Sequence, residues 1–265
     1  KPAQEPVFRL PALWIEEARK QQAEVNGYTV VDPETVLVTH LSETLRKHCY
    51  EILSRDDVQQ LVDRLRERQP TLVNSVVGES VSMALLHRVL QTLLKDGIPI
   101  RDLGYIIETL GEQAGRTKDP QVLTEMCRKA LVRTITEQHS DRNGTVHAIT
   151  FEPALEYELA NALTRDNDGE QLNLPPDRAM ELVRQLAHAW HAAMEQGREH
   201  AVLLCDFKLR PHLAAVLERQ IPDMPVLAYD EVAQGTNVET FLTVTLPNNP
   251  AEALSQSQQA VGAAP

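Results

Sequence analysis

From Asp32-Pro33 to Gln69 no further proline or glycine interrupts the chain. This stretch constrains the fold most, because Asp favours a helix N-cap and Pro is preset for the first turn. Val36, His40, Leu41, Leu45, His48 and Ile52 then recur at three- and four-residue spacing, so a helix is expected to about Leu53. Upstream, Tyr28-Thr29-Val30-Val31 is a β-branched and aromatic run that reads as a short strand. A strand handing over abruptly to a helix would make Val31 to Thr39 a working surface.

On either side the pattern is consistent. Residues 1–10 hold Pro2, Pro6 and Phe8 and read as an extended arm, followed by a helix from about Leu13 to Asn26 that Gly27 stops. From Ser54 the chain reads as helix after helix: a Ser54-capped helix ending at Pro70, a short segment from Leu72 to Val77, then Met83 to Lys95, Ile100 to Gly111 and Asp119 to Gln138. Beyond His139 strands at 146–151, 201–205, 225–229 and 240–246 alternate with helices at 153–164, 176–196 and 209–219, joined in part by a polar loop at 165–174. That alternation implies a small α/β layer with largely parallel pairing. Residues 247–265 are an Ala, Gln, Ser and Asn tail expected to be disordered. The expected class is α+β, multidomain and predominantly helical: a strand-helix N-terminal part, an all-helical middle module and a small α/β C-terminal layer.

Composition excludes several function classes. The formal charge of −12 repels nucleic acid and anionic lipid, and favours a basic partner. Cys49, Cys127 and Cys205 lie far apart with neither disulfide-framework nor zinc spacing, which suits a reducing cytoplasm. No apolar run reaches the roughly 20 residues of a membrane span. The start at Lys1 without Met suggests a fragment of something longer.

Catalytic and nucleotide signatures such as G-x-S-x-G, G-x-G-x-x-G, the P-loop and H-E-x-x-H are absent, and neither a cofactor nor a metal is expected. His188, His191 and Glu195 could share a helix face, but an exposed amphipathic helix around Trp190 accounts for them. His48 and Cys49 are helix neighbours that diverge, so they make no nucleophile and base pair. Asp206 and Asp230 stand at strand ends, where small α/β enzymes place their sites. Phe8, between Pro6 and Pro11, has either a groove on its own chain or a partner to fill.

Several ordered motifs carry a resemblance. Glu5-Pro6-Val7-Phe8, Leu13-Trp14-Ile15, Gly27-Tyr28-Thr29-Val30-Val31 and Thr39-His40-Leu41 lead. Val89-Leu90-Gln91-Thr92-Leu93-Leu94, Ile100-Arg101-Asp102-Leu103, Arg116-Thr117-Lys118-Asp119, Ala130-Leu131-Val132-Arg133 and Leu209-Arg210-Pro211 follow. Together they resemble the cytoplasmic region of the type III export gate proteins, the FHIPEP family, over about Glu5 to Leu246. Details such as Thr-Val-Val-Asp-Pro resemble its flagellar branch.

The resemblance implies residues 1–53 as an N-terminal arm and the remainder of a first subdomain, 54–132 as a helical third subdomain and 133–246 as an α/β fourth. It further implies no enzymatic activity, a nonameric ring at the cytoplasmic face of the bacterial inner membrane, and docking of flagellar export chaperones with their substrates and of other export apparatus components. Family docking positions match Glu5, Phe8 and Thr39, with Glu5 where Asp is commoner. Val31 and Val36 join them because strand end and first helical turn should lie beside Thr39. An injectisome gate is the alternative within the family, and a small α/β enzyme the alternative outside it.

Overall fold

The computed structural model describes residues 1–6, 11–166, 169–198 and 200–246. Phe8 and the expected disordered tail lie outside the described residues. The chain divides into two compact units, Lys1–Cys127 and Arg128–Pro265.

The first unit opens with an antiparallel pair, β1 (Pro2–Gln4) and β2 (Pro11–Leu13), in register Ala3 with Ala12. Part of the expected extended arm, Pro2–Gln4, is therefore a strand of a hairpin, with Glu5 directly after it. After a single 3-10 turn comes α1 (Lys20–Val25), which begins later than the expected Leu13. Gly27, at φ +82°, ends it: the Gly27 and Tyr28 amides donate to the Glu24 and Ala23 carbonyls at 3.0 and 3.1 Å. This is a Schellman closure, and the positive φ is what calls for glycine.

Tyr28 to Val31 does not form the expected strand. The Tyr28 amide is committed to the helix cap, and no strand runs beside the segment among the described residues. β propensity is realised only against a neighbouring strand. The run is an extended connection leading straight into α2 (Pro33–Ile52).

The helical module behind it has real depth. It contains α3 (Arg55–Arg68), α4 (Pro70–Val76), α5 (Met83–Lys95), α6 (Leu103–Gln113) and the start of α7 (Pro120–Ala130). Ser54 closes a reciprocal capping box with Asp57, and the Ser82 hydroxyl accepts from the Leu85 amide at 3.2 Å. Val58, Val62, Val73, Leu86, Leu90, Leu93, Ile107, Leu110 and Leu123 are fully buried. Pro70 does end α3 as expected, but it also starts α4, where the sequence had suggested only a short segment.

In the second unit the expected Asp119–Gln138 helix is broken at Leu131 (φ −82°, ψ 18°), giving α7 and α8 (Val132–His139). Then follow β3 (Thr145–Phe151), α9 (Pro153–Asn161), β4 (Leu163–Asp166), β5 (Gly169–Leu172), α10 (Pro176–Glu195), β6 (Val202–Cys205), α11 (Arg210–Gln220), β7 (Val226–Ala228) and β8 (Asn237–Val244). The sheet order is β7-β6-β3-β8 with every pairing parallel, as the alternation implied. The antiparallel pair β4-β5 replaces the end of one expected helix and the expected polar loop. Ile149, Leu159, Leu186, Leu203 and Leu213 fill the core, with Trp190 at its margin.

Candidate docking site

The candidate surface is built on the start of α2. Asp32 occupies the N-cap position with extended backbone (φ −72°, ψ 147°), and its carbonyl accepts from the Val36 amide at 3.1 Å. Its side chain does not cap the helix. The carboxylate turns to Lys20, 3.0 Å from Nζ, and this hydrogen bond holds the ammonium above its usual range. The salt link fastens α1 to the turn before α2 and leaves the helix start to Pro33.

Val31 precedes this turn and is 48 % exposed, Val36 is half-buried, and Thr39 is exposed three residues further along the helix. Positions i and i+3 share a face. Val36 and Thr39 therefore share one face near the start of α2, and Val31 precedes it in the extended connection. Glu5 is half-buried in the β1–β2 connection, and Phe8 lies outside the described residues.

The sequence pattern did not reveal how bare α2 is. Not one of its 20 residues is buried, and Leu37, Val38, Leu41, Leu45 and Ile52 are between 49 and 67 % exposed. Its C-terminal end is tied to the module: His87 Nε2 donates to the Leu53 carbonyl at 2.8 Å, and Gln91 Nε2 to the Tyr50 carbonyl at 3.1 Å. An apolar stripe of this length on a helix marks a face that another element or partner covers.

Cys127 and Cys205 are buried, and burial pushes the Cys127 thiol up to about 12 and the Cys205 thiol upward too. Among the described residues no grouping of His, Cys, Asp and Glu could hold a metal. His188, His191 and Glu195 are exposed on α10 while Trp190 faces inward. No helix among the described residues is long and apolar enough to cross a membrane.

The model of the FHIPEP family matches residues 1–237. Among curated proteins, the flagellar biosynthesis protein FlhA of Bacillus subtilis is 37% identical over 243 residues, covering 91% of this chain and 36% of the relative. That of Escherichia coli strain K12 is 38% identical over 240 residues, covering 91% and 34%. The chain thus spans about a third of the length of these relatives. Among solved structures, the Chlamydia pneumoniae CdsV protein aligns with TM-score 0.77 at 25% identity over 89% of this chain and 67% of that one. The nonameric SctV-C of EPEC aligns with TM-score 0.73 at 23% identity over 86% and 68%, a likeness of fold.

Proposed function

Because the chain belongs to the FHIPEP family of export gate proteins, which are transport components and not enzymes, we propose that it is part of the cytoplasmic docking platform of a flagellar type III export gate. Glu5, Phe8, Val31, Val36 and Thr39 form its receiving surface for export chaperones carrying their substrates. The observation that carries this reading is the start of α2, where Val36 and Thr39 share a face of a helix without a buried residue and Val31 directly precedes its first turn. Phe8 and the valines supply apolar area, Thr39 a hydroxyl, and Glu5 a charge that orients a basic partner.

The flagellar assignment over an injectisome gate is supported by 37 and 38% identity to flagellar biosynthesis proteins of two bacteria. The subdomain boundaries of the proposal are 1–53, 54–132 and 133–246. A nonameric ring beneath the channel, at the inner face of the bacterial inner membrane, is supported by fold neighbours solved as nonamers. An export-apparatus partner is supported by a fold neighbour solved as a complex of CdsV with CdsO.

Titration of a flagellar chaperone-substrate complex against the complete cytoplasmic region tests the receiving surface. Phe8→Ala should weaken binding at least tenfold while leaving the circular dichroism spectrum unchanged. Equal affinities would refute the assignment.

A further inference from the structure

His147 ties together three segments of the second unit. It stands opposite Glu239 in the register of β3 with the edge strand β8. Its side chain is only 14 % exposed, yet both ring nitrogens meet charged groups. Nε2 lies 3.2 Å from Oδ2 of Asp141, in the turn before β3. Nδ1 lies 2.6 Å from Nη1 of Arg198, in the turn after α10, and 3.4 Å from Oε2 of Glu239. A guanidinium carries donors only, so the short contact with Arg198 requires a bare Nδ1. The ring proton therefore sits on Nε2, where the Asp141 carboxylate accepts it, and the approach of Nδ1 to Glu239 has no proton between two acceptors.

The groups around the ring are held in place without it. Asp141 Oδ1 accepts from the Asn143 and Thr145 amides at 2.8 and 2.9 Å. Arg198 Nη2 donates to Glu239 Oε1 at 2.9 Å, and the guanidinium stands 4.8 Å from the centre of the Phe241 ring. Pairing of β3 with β8 passes from Ala148–Thr240 to Ile149–Leu242, so Phe241 is the extra residue of a β-bulge, a device that re-aims side chains at sheet edges. The Thr145 amide holds the Asp141 carboxyl below its ordinary range, and the Arg198 hydrogen bond does the same for Glu239. Both carboxylates are therefore ionised where histidines change charge, between about pH 5 and 8. On the other flank of β3, β6 brings only the apolar run Val202–Cys205. Around a neutral ring, Asp141 and Glu239 outnumber Arg198 by one charge, and a proton on Nδ1 restores the balance.

We propose that His147 is a proton-operated clasp between the edge strand β8 and the turn after α10. With the ring neutral, Nδ1 accepts from Arg198 and fastens that turn to β3. With the ring protonated, Nδ1 no longer accepts; it donates instead to Glu239 Oε2, already 3.4 Å away, while Arg198 keeps Glu239 Oε1 and the Phe241 ring. The hydrogen bond passes from one partner to the other within the same fold. Acidification thus loosens the turn after α10 from β3 and tightens β8 on it. The clasp belongs to the second unit and does not depend on the reading of α2.

Imidazole and amide NMR of the isotopically labelled chain between about pH 8 and 5 tests the clasp. At the alkaline end His147 should show a pyrrole-type Nε2 and a pyridine-type Nδ1, a reading that needs no substitution. On acidification Nδ1 should take up the proton, and the amides of Arg198, Glu239 and Phe241 should shift with the midpoint of the His147 ring. In His147→Gln, whose carboxamide offers one acceptor and one donor without titrating, those amides should lose that response. An unchanged melting temperature at the alkaline end will show that the replacement leaves the fold intact. The proposal is overturned by a proton on Nδ1 at the alkaline end, by a ring that keeps one protonation state throughout, by Arg198 and Glu239 amides that do not follow the ring, or by a response that survives His147→Gln.

Discussion

Arg128 and Glu231 form the most consequential polar contact in the second unit. Arg128 Nε and Nη2 donate to the two carboxylate oxygens at 2.5 and 2.9 Å, and Glu231 also accepts from the Ala228 amide at 2.9 Å. Both side chains are almost fully buried, so losing either leaves the other charged and desolvated. Glu231→Gln should lower unfolding free energy by about 3–5 kcal/mol in urea denaturation. His139 is a half-buried group: partial desolvation, then the Arg128 cation, lower its affinity for a proton to about 4. An unfolded histidine binds a proton below about 6.5 whereas folded His139 does not until about 4, so stability falls as pH drops through that window. The contribution is at most about 3 kcal/mol and is complete above pH 7. Urea midpoints at pH 7.5 and 4.5 should therefore diverge less in His139→Gln than in wild type. The sequence hid these roles. Nothing local marks Glu231 for this role, because its partner lies 103 positions away. The motif positions Glu5, Phe8 and Thr39 could be named from sequence, because they lie in short ordered matches. What remained hidden at that site was the turn of Asp32 toward Lys20, which depends on how α1 ends.

Elements were legible where local chemistry decides and illegible where a neighbour decides. Ser54, Ser82 and Gly27 mark helix ends through bonds made within a few residues, and all three act as their positions suggest. Tyr28 to Val31 carried strand propensity without a strand beside it. The break at Leu131 has neither Gly nor Pro, so the apolar spacing ran through it unmarked. β4-β5 was hidden by the polar composition of its segment, which reads as a loop. Close packing of helices gives a direct check at this scale. A Cβ on Gly111 in α6 would come within 2.7 Å of the Val76 side chain of α4. Gly111→Ala, ordinarily favourable in a helix, should here cost about 1–3 kcal/mol and lower the melting temperature.

At the scale of the whole chain, apolar exposure is unevenly distributed. Leu13, Trp14, Val25, Tyr28, Val31 and much of α2 are exposed, while the helical module from α3 onward and the second unit have dense cores. The proposed receiving surface would use the first turns of α2 and leave its apolar stripe for another element or partner. Fold class was legible because helix capping and strand alternation are written locally. The bareness of α2 was not, since a periodic stripe shows that a face is covered without showing by what. The central claim is that chaperone-substrate complexes dock at the start of α2. Hydrogen exchange of the complete cytoplasmic region, with and without a saturating flagellar chaperone-substrate complex, tests it most directly. Slowed exchange should concentrate in residues 5–12 and 28–40; protection confined to the second unit, with these segments unchanged, would contradict it.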